Sequence, residues 1–225
     1  MDNFTVEKWN NLHTQKRFQP KYPSEAYVQF VFKNFKRDNS EKVLDLGCGA
    51  GRHVFFLASE GIECYGTDIS NEGINYVKSL IHKKNLNAEL VVSPTKDLPF
   101  EDNFFNGIMS YGVLYYMDIA DIKKSINEIY RTLKKSGKGF IVVRSTEDYR
   151  FGQGKEFEPN TFRLETETDT DKNASNESGM IMHFFTREEL VEYFKIFKNV
   201  IIDRLIVTHD NETYCDNDYI LTFEK

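Results

Sequence analysis

Three glycines behind an aspartate are where this chain's chemistry concentrates. The stretch VLDLGCGAGRH, residues 43–53, alternates Gly47, Gly49 and Gly51 with Cys48 and Ala50, and Asp45 precedes them. Glycines at such a turn let the backbone approach a ligand closely and adopt positive φ. The spacing argues against two phosphate loops. A dinucleotide fingerprint, G-x-G-x-x-G, needs its third glycine at residue 52, which is Arg52, or, begun from Gly49, at residue 54, which is Val54. The G-x-x-x-x-G-K-[ST] loop has no match. Asp45 discourages a pyrophosphate and suits a cationic group. Asp68 follows, seventeen residues past Gly51. At the end of a second strand, a carboxylate is placed to accept hydrogen bonds from both ribose hydroxyls. The set suits a nucleoside with a positively charged tail.

The elements that must position these residues alternate. A Ser-led helix over 24–36 comes first, with Tyr27, Val28, Val31 and Phe35 on one face. KVLDLGC reads as a buried strand, RHVFFLASEG as a helix ending at Gly61, IECYGTD as a second strand. A helix from Ser70 carries Ile74, Val77, Leu80 and Ile81 on one side; AELVVS and NFFNGIMSYG are further strands. DIADIKKSINEIYRTLKKSG is the clearest helix, ended by Gly137, and KGFIVVRS is a fifth strand. Alternation of this kind predicts a mainly parallel sheet covered on both faces. Right-handed crossovers then put every strand C-terminus on one edge, where ligands bind. The alternation breaks over 146–179, which is polar and acidic and reads as a functional lid or a disordered insert. Thr186 to Glu189 has capping-box spacing. NVIIDRLIV and DYILTFE would close the chain as an antiparallel hairpin.

With the loop and its elements in place, a resemblance becomes specific. VLDLGCGAG is similar to the first motif of class I S-adenosylmethionine-dependent methyltransferases, and YGTDIS, residues 65–70, to their second. DLPFEDNFFNGIMSYGVLYY, residues 97–116, resembles the region around their fourth strand, and LKKSGKGFIVV the lead-in to their fifth. The resemblance covers about residues 40–145 in order. It implies a Rossmann-like three-layer α/β sandwich, a seven-stranded mainly parallel sheet with a reversed last strand, in one domain over 1–225. It also implies that S-adenosylmethionine is the cofactor and S-adenosylhomocysteine its product. By position, Gly47, Cys48, Gly49 and Gly51 would line the methionine part. Asp45 would orient its amino group, Asp68 would hold the ribose, Ile69 would pack on adenine, and Ser110 would offer a carbonyl. Many relatives place an aspartate where Pro94 stands here; Thr95 or a backbone amide would then serve the adenine edge.

The acceptor side is more open. Methyl transfer is in-line attack on an activated sulfonium methyl, so positioning and desolvation can suffice. A hydroxyl gains from a base; a neutral amine needs none. His183 is the candidate base, or a structural histidine beside aromatics. Tyr111, Tyr115 and Tyr116 follow the fourth strand, where the acceptor sits: one would line the pocket, with Tyr111 the catalytic candidate and Tyr115 the substrate-binding one, and the others would be core. Arg144 would bind an anionic acceptor or pair with a lid carboxylate. Arg52 opens a helix, against its dipole, which suggests an anionic partner, a cofactor or substrate carboxylate; the alternative is an Arg52 that faces solvent. The resemblance implies that residues 1–23 fold over the cofactor as a cap, with Trp9, Phe18 and Tyr22 shielding the methyl and Arg17 touching a carboxylate; the alternative is simple helix packing. The N-P-P-Y tetrapeptide of amino-group methyltransferases is replaced by Ser110-Tyr111-Gly112-Val113, and the net charge is −6, so no nucleic-acid partner is expected. Lys134, Lys135 and Lys138 cluster near a helix C-terminus, as a solvated face would.

No metal is expected. Cys48, Cys64 and Cys215 form neither CxxC nor a Cys/His ligand pattern, as in a reduced cytoplasmic protein. No signal peptide stands at the start, and no apolar run reaches the roughly 18 residues of a membrane span. The expectation is a methyltransferase acting at oxygen or nitrogen of a small molecule, such as a sugar, nucleotide-sugar or other metabolite. The alternatives are a non-catalytic cofactor-binding regulator and a methyltransferase acting on protein or RNA. Monomer and homodimer stay equally open.

Overall fold

The computed structural model describes residues 3–165 and 177–225. Its centre is a seven-stranded sheet. Strands β1 (Lys42–Leu46), β2 (Glu63–Asp68), β3 (Glu89–Val92), β4 (Phe105–Tyr111) and β5 (Leu133–Arg144) run parallel, in the spatial order β3-β2-β1-β4-β5. The hairpin of β9 (Lys198–His209) and β10 (Tyr214–Glu224) completes it, with β10 inserted antiparallel between β5 and β9. The Rossmann-like sandwich with a reversed last strand is therefore present.

Side chains alternate across β1 and split the core in two. Leu44 and Leu46 pack with Ile108 and with Ile122, Ile126 and Ile129 of helix α5 (Ile119–Thr132). Val43 faces the other way, toward Tyr27 and Val31 of α2 (Glu25–Asn34), Val54 and Leu57 of α3 (Arg52–Ser59), and Ile74 and Val77 of α4 (Asn71–Lys83). Burying a side chain of this size stabilises by roughly 1.5–3 kcal/mol, so the two apolar faces of the sheet drive the assembly.

Helix α5 stops earlier than the sequence suggests. Leu133 turns extended, with ψ 133, and is fully buried against the core. The stretch through Gly137 joins β5 through a register shift opposite Phe105 and Gly107, with Ser136 at φ 61. Burial of Leu133 outweighs the helical propensity of the lysines that follow.

The segment after β5 is more ordered than its composition suggests. Strands β6 (Lys155–Glu158), β7 (Thr161–Arg163) and β8 (Ile181–His183) form a small antiparallel sheet. Phe151, Phe162 and Phe184 stack edge-on beneath it, with ring centroids 5.3–5.9 Å apart. Residues 166–176, the most polar part, lie outside the described residues. Helix α6 (Arg187–Tyr193) begins with the expected capping box: the Glu189 amide donates to the Thr186 hydroxyl, and the Thr186 amide to the Glu189 carboxylate.

Before all of this, α1 (Asn3–His13) and a single 3-10 turn (Lys16–Phe18) lie over the glycine loop. Asn10 Oδ1 accepts from Ser70 Oγ at 3.0 Å and from the Glu72 amide at 3.3 Å, which fastens α1 to the start of α4.

Candidate cofactor and acceptor cleft

The C-terminal ends of β1, β2 and β4 open into a cleft of about 340 Å³. The loop after β1 forms its floor. Gly47, Gly49 and Gly51 have φ of +75°, +52° and +81°, a region side chains rarely adopt. A Cβ on Gly47 would meet Val113 Cγ2 at 2.4 Å, and one on Gly49 would meet His13 Nε2 at 3.3 Å. The loop is thus pressed against both walls. Cys48 lines the cleft beside the glycines.

Asp68 ends β2 on the same edge. Its Oδ2 accepts the Gly49 amide and its Oδ1 the Ser70 amide, each at 2.8 Å. These bonds aim the carboxylate into the cleft and leave further lone pairs for ribose hydroxyls. Burial raises its pKa, with the neighbouring His13 working against that. Burial lowers the pKa of His13, so the imidazole beside Asp68 is neutral at pH 7. Its Nδ1 is buried with no hydrogen-bond partner. His13 also stacks on Trp9, and Trp9 meets Tyr116 edge-on at 5.0 Å. Ile69, Ser93 and Thr95 continue this end of the cleft, with the Thr95 hydroxyl 2.7 Å from that of Ser125.

The rest of the lining is aromatic and basic: Trp9, Arg17, Phe18, Pro20, Arg52, Tyr111, Tyr115, Tyr116 and Met117. The Arg52 guanidinium lies 4.9 Å from the Tyr111 ring centroid. Burial raises the pKa values of Tyr111, Tyr115 and Tyr116, so all three keep their protons at pH 7. His53 also reaches the wall, but it is stacked on Tyr27 at 3.9 Å and accepts the Ser24 amide at Nε2. Burial, helped by Arg52, pushes its pKa down to about 2.

Fourteen expected residues thus meet in one cleft: Trp9, Arg17, Phe18, Gly47, Cys48, Gly49, Gly51, Arg52, Asp68, Ile69, Thr95, Tyr111, Tyr115 and Tyr116. Five others stand outside its wall. Asp45 is turned by the strand alternation onto the α3 side, where it is 1% exposed and lies 3.9 Å from His53 Nδ1; burial pushes its pKa up to about 7. Ser110 points its hydroxyl back into the sheet, donating to the Leu46 carbonyl at 3.0 Å. Tyr22 is 73% exposed and beneath Lys21. Arg144 is buried behind Tyr115. Its Nη2 donates to the Tyr115 hydroxyl at 3.1 Å, and it pairs with Asp148 and Asp218. His183 is fully buried behind the same wall. Its Nδ1 lies 2.8 Å from the Thr161 hydroxyl, and its amide donates to the Tyr115 carbonyl. Burial lowers its pKa to about 4. His13 was not among the expected residues. Its only sequence signal is the four-residue spacing from Trp9, which puts both on one helical face.

The comparisons with known proteins follow this geometry. Residues 43–137 match the methyltransferase domain family. That span is a class I S-adenosylmethionine-dependent methyltransferase domain. Similar curated proteins include an uncharacterised methyltransferase of Synechocystis, 29% identical over 113 residues, 50% of this chain and 51% of that protein. A demethylmenaquinone methyltransferase of Corynebacterium efficiens is 34% identical over 107 residues, 47% of this chain and 43% of its own length. The chain spans about half the length of the curated relatives it matches. A methyltransferase structure from Methanosarcina mazei superposes with a TM-score of 0.72 at 21% identity, covering 87% of this chain and 96% of the other; at that identity the likeness is one of fold. The family's cofactor suits the cleft: the aimed Asp68 carboxylate and the side-chain-free glycine floor match an adenosine with a short tail. Among the described residues no helix is long and apolar enough to cross a membrane, and no cluster of three or more metal-ligating side chains occurs.

Proposed function

We propose that this methyltransferase carries the methyl group of S-adenosylmethionine to an oxygen or nitrogen of a small-molecule acceptor. The carrying observation is that the ribose carboxylate Asp68 and the glycine floor share one cleft with the aromatic wall of Tyr111, Tyr115 and Tyr116. The cofactor supplies a sulfonium methyl already activated for attack. The chain's own work is to hold the nucleoside at Asp68, seat the acceptor against the aromatics, and exclude water beneath the α1 cap.

A carbon acceptor is the second reading. A ubiquinone/menaquinone biosynthesis C-methyltransferase of Geotalea daltonii is 26% identical over 127 residues, 54% of this chain and 53% of that protein. A carbon nucleophile needs its proton removed first. The tyrosines are protonated and His53 Nε2 already accepts the Ser24 amide, which among the described cleft residues leaves His13 as the neutral imidazole available for that. A neutral amine needs no base, which supports nitrogen over carbon.

Calorimetry with S-adenosylhomocysteine tests the reading. Asp68→Ala removes the acceptor for the ribose hydroxyls, and bonds to a charged group stabilise by about 1.5–3 kcal/mol each. The expected loss is about 3 kcal/mol, on the order of 100-fold in affinity, with folding checked by circular dichroism. Absence of binding by the native protein, unchanged by Asp68→Ala, would sink the proposal. Binding without transfer of labelled methyl to any of a metabolite panel would favour the regulatory alternative, and labelling of protein or RNA the macromolecular one.

A further inference from the structure

We propose that His13 is a cofactor-binding residue, whose imidazole donates a hydrogen bond to a ribose hydroxyl oxygen of S-adenosylmethionine across the glycine floor from Asp68. The inference rests on the methyltransferase reading and deepens it, because it gives the ribose a second, donating contact. His13 ends α1, lines the cleft and is 6% exposed.

Two glycines build its seat. A Cβ on Gly49, in the floor, would meet His13 Nε2 at 3.3 Å. A Cβ on Gly73, the third residue of α4, would meet His13 Nδ1 at 2.7 Å and the Gly49 carbonyl at 2.9 Å. Gly73 is helical and is not among the residues with positive φ, so its backbone has no need of glycine. The missing side chain makes room for the imidazole and the loop. The ring also stacks on Trp9, with centroids 5.5 Å apart. The His13 carbonyl accepts from Gln19 Nε2 at 2.7 Å, which fixes the end of α1.

The ring held there is chemically idle. Neither of its nitrogens hydrogen-bonds a described residue. Nδ1 is enclosed, so Nε2, over the floor, is the nitrogen left open to a ligand. Burying a polar group without a partner is costly, and at a binding site the ligand supplies the partner. Asp68 is the charged group that acts on the ring. It favours protonation, and burial outweighs it, so the ring is neutral and carries one N–H.

The ribose needs that proton. Each Asp68 oxygen already accepts an amide, from Gly49 or from Ser70, and a carboxylate only accepts. It takes hydroxyl protons from the ribose and leaves the lone pairs of the hydroxyl oxygens unmet. The Nε2–H of His13 is a donor beside the same carboxylate. Committed this way, Nε2 has no lone pair with which to deprotonate an acceptor, so the imidazole serves the cofactor rather than acting as a base.

The test is a thermodynamic cycle by calorimetry. S-adenosylhomocysteine and its 2′-deoxy and 3′-deoxy ribose analogues are titrated into the native protein and into His13→Phe, which keeps a ring against Trp9 without a donor. In the native protein at least one missing hydroxyl is expected to weaken binding about tenfold or more. In His13→Phe that penalty should shrink at least threefold. A smaller change for both hydroxyls overturns the inference, because the imidazole then only packs α1 in place. Ring-nitrogen spectra of native protein labelled with 15N-histidine read the contact without a substitution. The Nε2 signal of His13 should shift when S-adenosylhomocysteine saturates the site, and by less than half as much with the analogue that lacks the hydroxyl. Equal shifts, or none, overturn the inference as well. A native protein that binds no S-adenosylhomocysteine sinks the methyltransferase reading along with it; unchanged penalties with a cofactor that binds sink this inference alone.

Discussion

His183 has no exposed surface, and burial alone lowers its pKa, from 6.5 to about 4. The native protein therefore resists a proton that the unfolded chain accepts below about pH 6.5. A group whose folded pKa is depressed contributes stability that is complete above the unfolded value and is lost as pH falls toward the folded one. Across that window the loss is on the order of 3 kcal/mol, since one pKa unit is about 1.4 kcal/mol. His183→Gln removes the titration. Denaturant melts at pH 7 and pH 4.5 should show a smaller drop in stability for the variant than for the native protein, while S-adenosylhomocysteine binding at pH 7 stays the same. A drop of equal size in both would mean His183 is not held neutral in the interior. Asp45 is the converse case at this scale: an acid whose pKa burial pushes up to about 7 sits against a neutral imidazole, so this pair beneath the glycine loop adds little charge to the cleft.

Helix α1 acts on the cleft as an element. Its last turn carries His13 over Gly49 and Gly73, and Trp9 to Tyr116. Yet its attachment to α4 runs through the side-chain oxygen of Asn10, which accepts from both Ser70 and Glu72 at the helix start. Asn10→Ala removes both bonds, and losing a helix-start acceptor costs about 1 kcal/mol. The whole-protein melting temperature should shift by only about 2–4 °C, because α1 adds little to the two sheet cores. S-adenosylhomocysteine affinity should fall about threefold to tenfold in calorimetry, because the cap no longer sits over Asp68. An unchanged affinity would mean that α1 packs without covering the cofactor.

Across the whole molecule, one buried charge cluster joins the sheet to the segment that follows it. Arg150 pairs with Asp148 at 2.9 Å, Asp216 at 2.8 Å and Glu177 at 3.2 Å, and Arg144 joins the same acids from β5. Glu177 also accepts from the Tyr116 hydroxyl at 2.5 Å, which links the cluster to the cleft wall. Arg150→Ala would take the cation from Glu177 and leave Asp148 and Asp216 to Arg144 alone. Breaking a buried pair by removing one partner costs about 3–5 kcal/mol, and in a chain of this size each kcal/mol moves the melting temperature by about 2–4 °C. Calorimetric melting should therefore drop by about 6–20 °C. A drop of under 3 °C would show that water screens the cluster.

Much of this molecule is written in local periodicity. Strand and helix spacings run over a few residues, so the parallel sheet, the crossover helices and the glycine floor were legible from Val43 to Arg144. Asp68 was legible too, because right-handed crossovers leave every parallel strand ending on one edge. What only the tertiary structure decided lies in contacts between distant residues. Arg144 faces Asp218 across the β5–β10 ladder, and that pairing exists only once β10 inserts between β5 and β9. The acids around Arg144 then hold it out of the cleft and, of its two expected roles, leave the pairing with a carboxylate of the 146–179 segment, Asp148. The order of residues 146–165 arises the same way, from aromatic and ionic partners far along the chain. Spacing determines which face of an element a residue shares; only packing determines what that face meets.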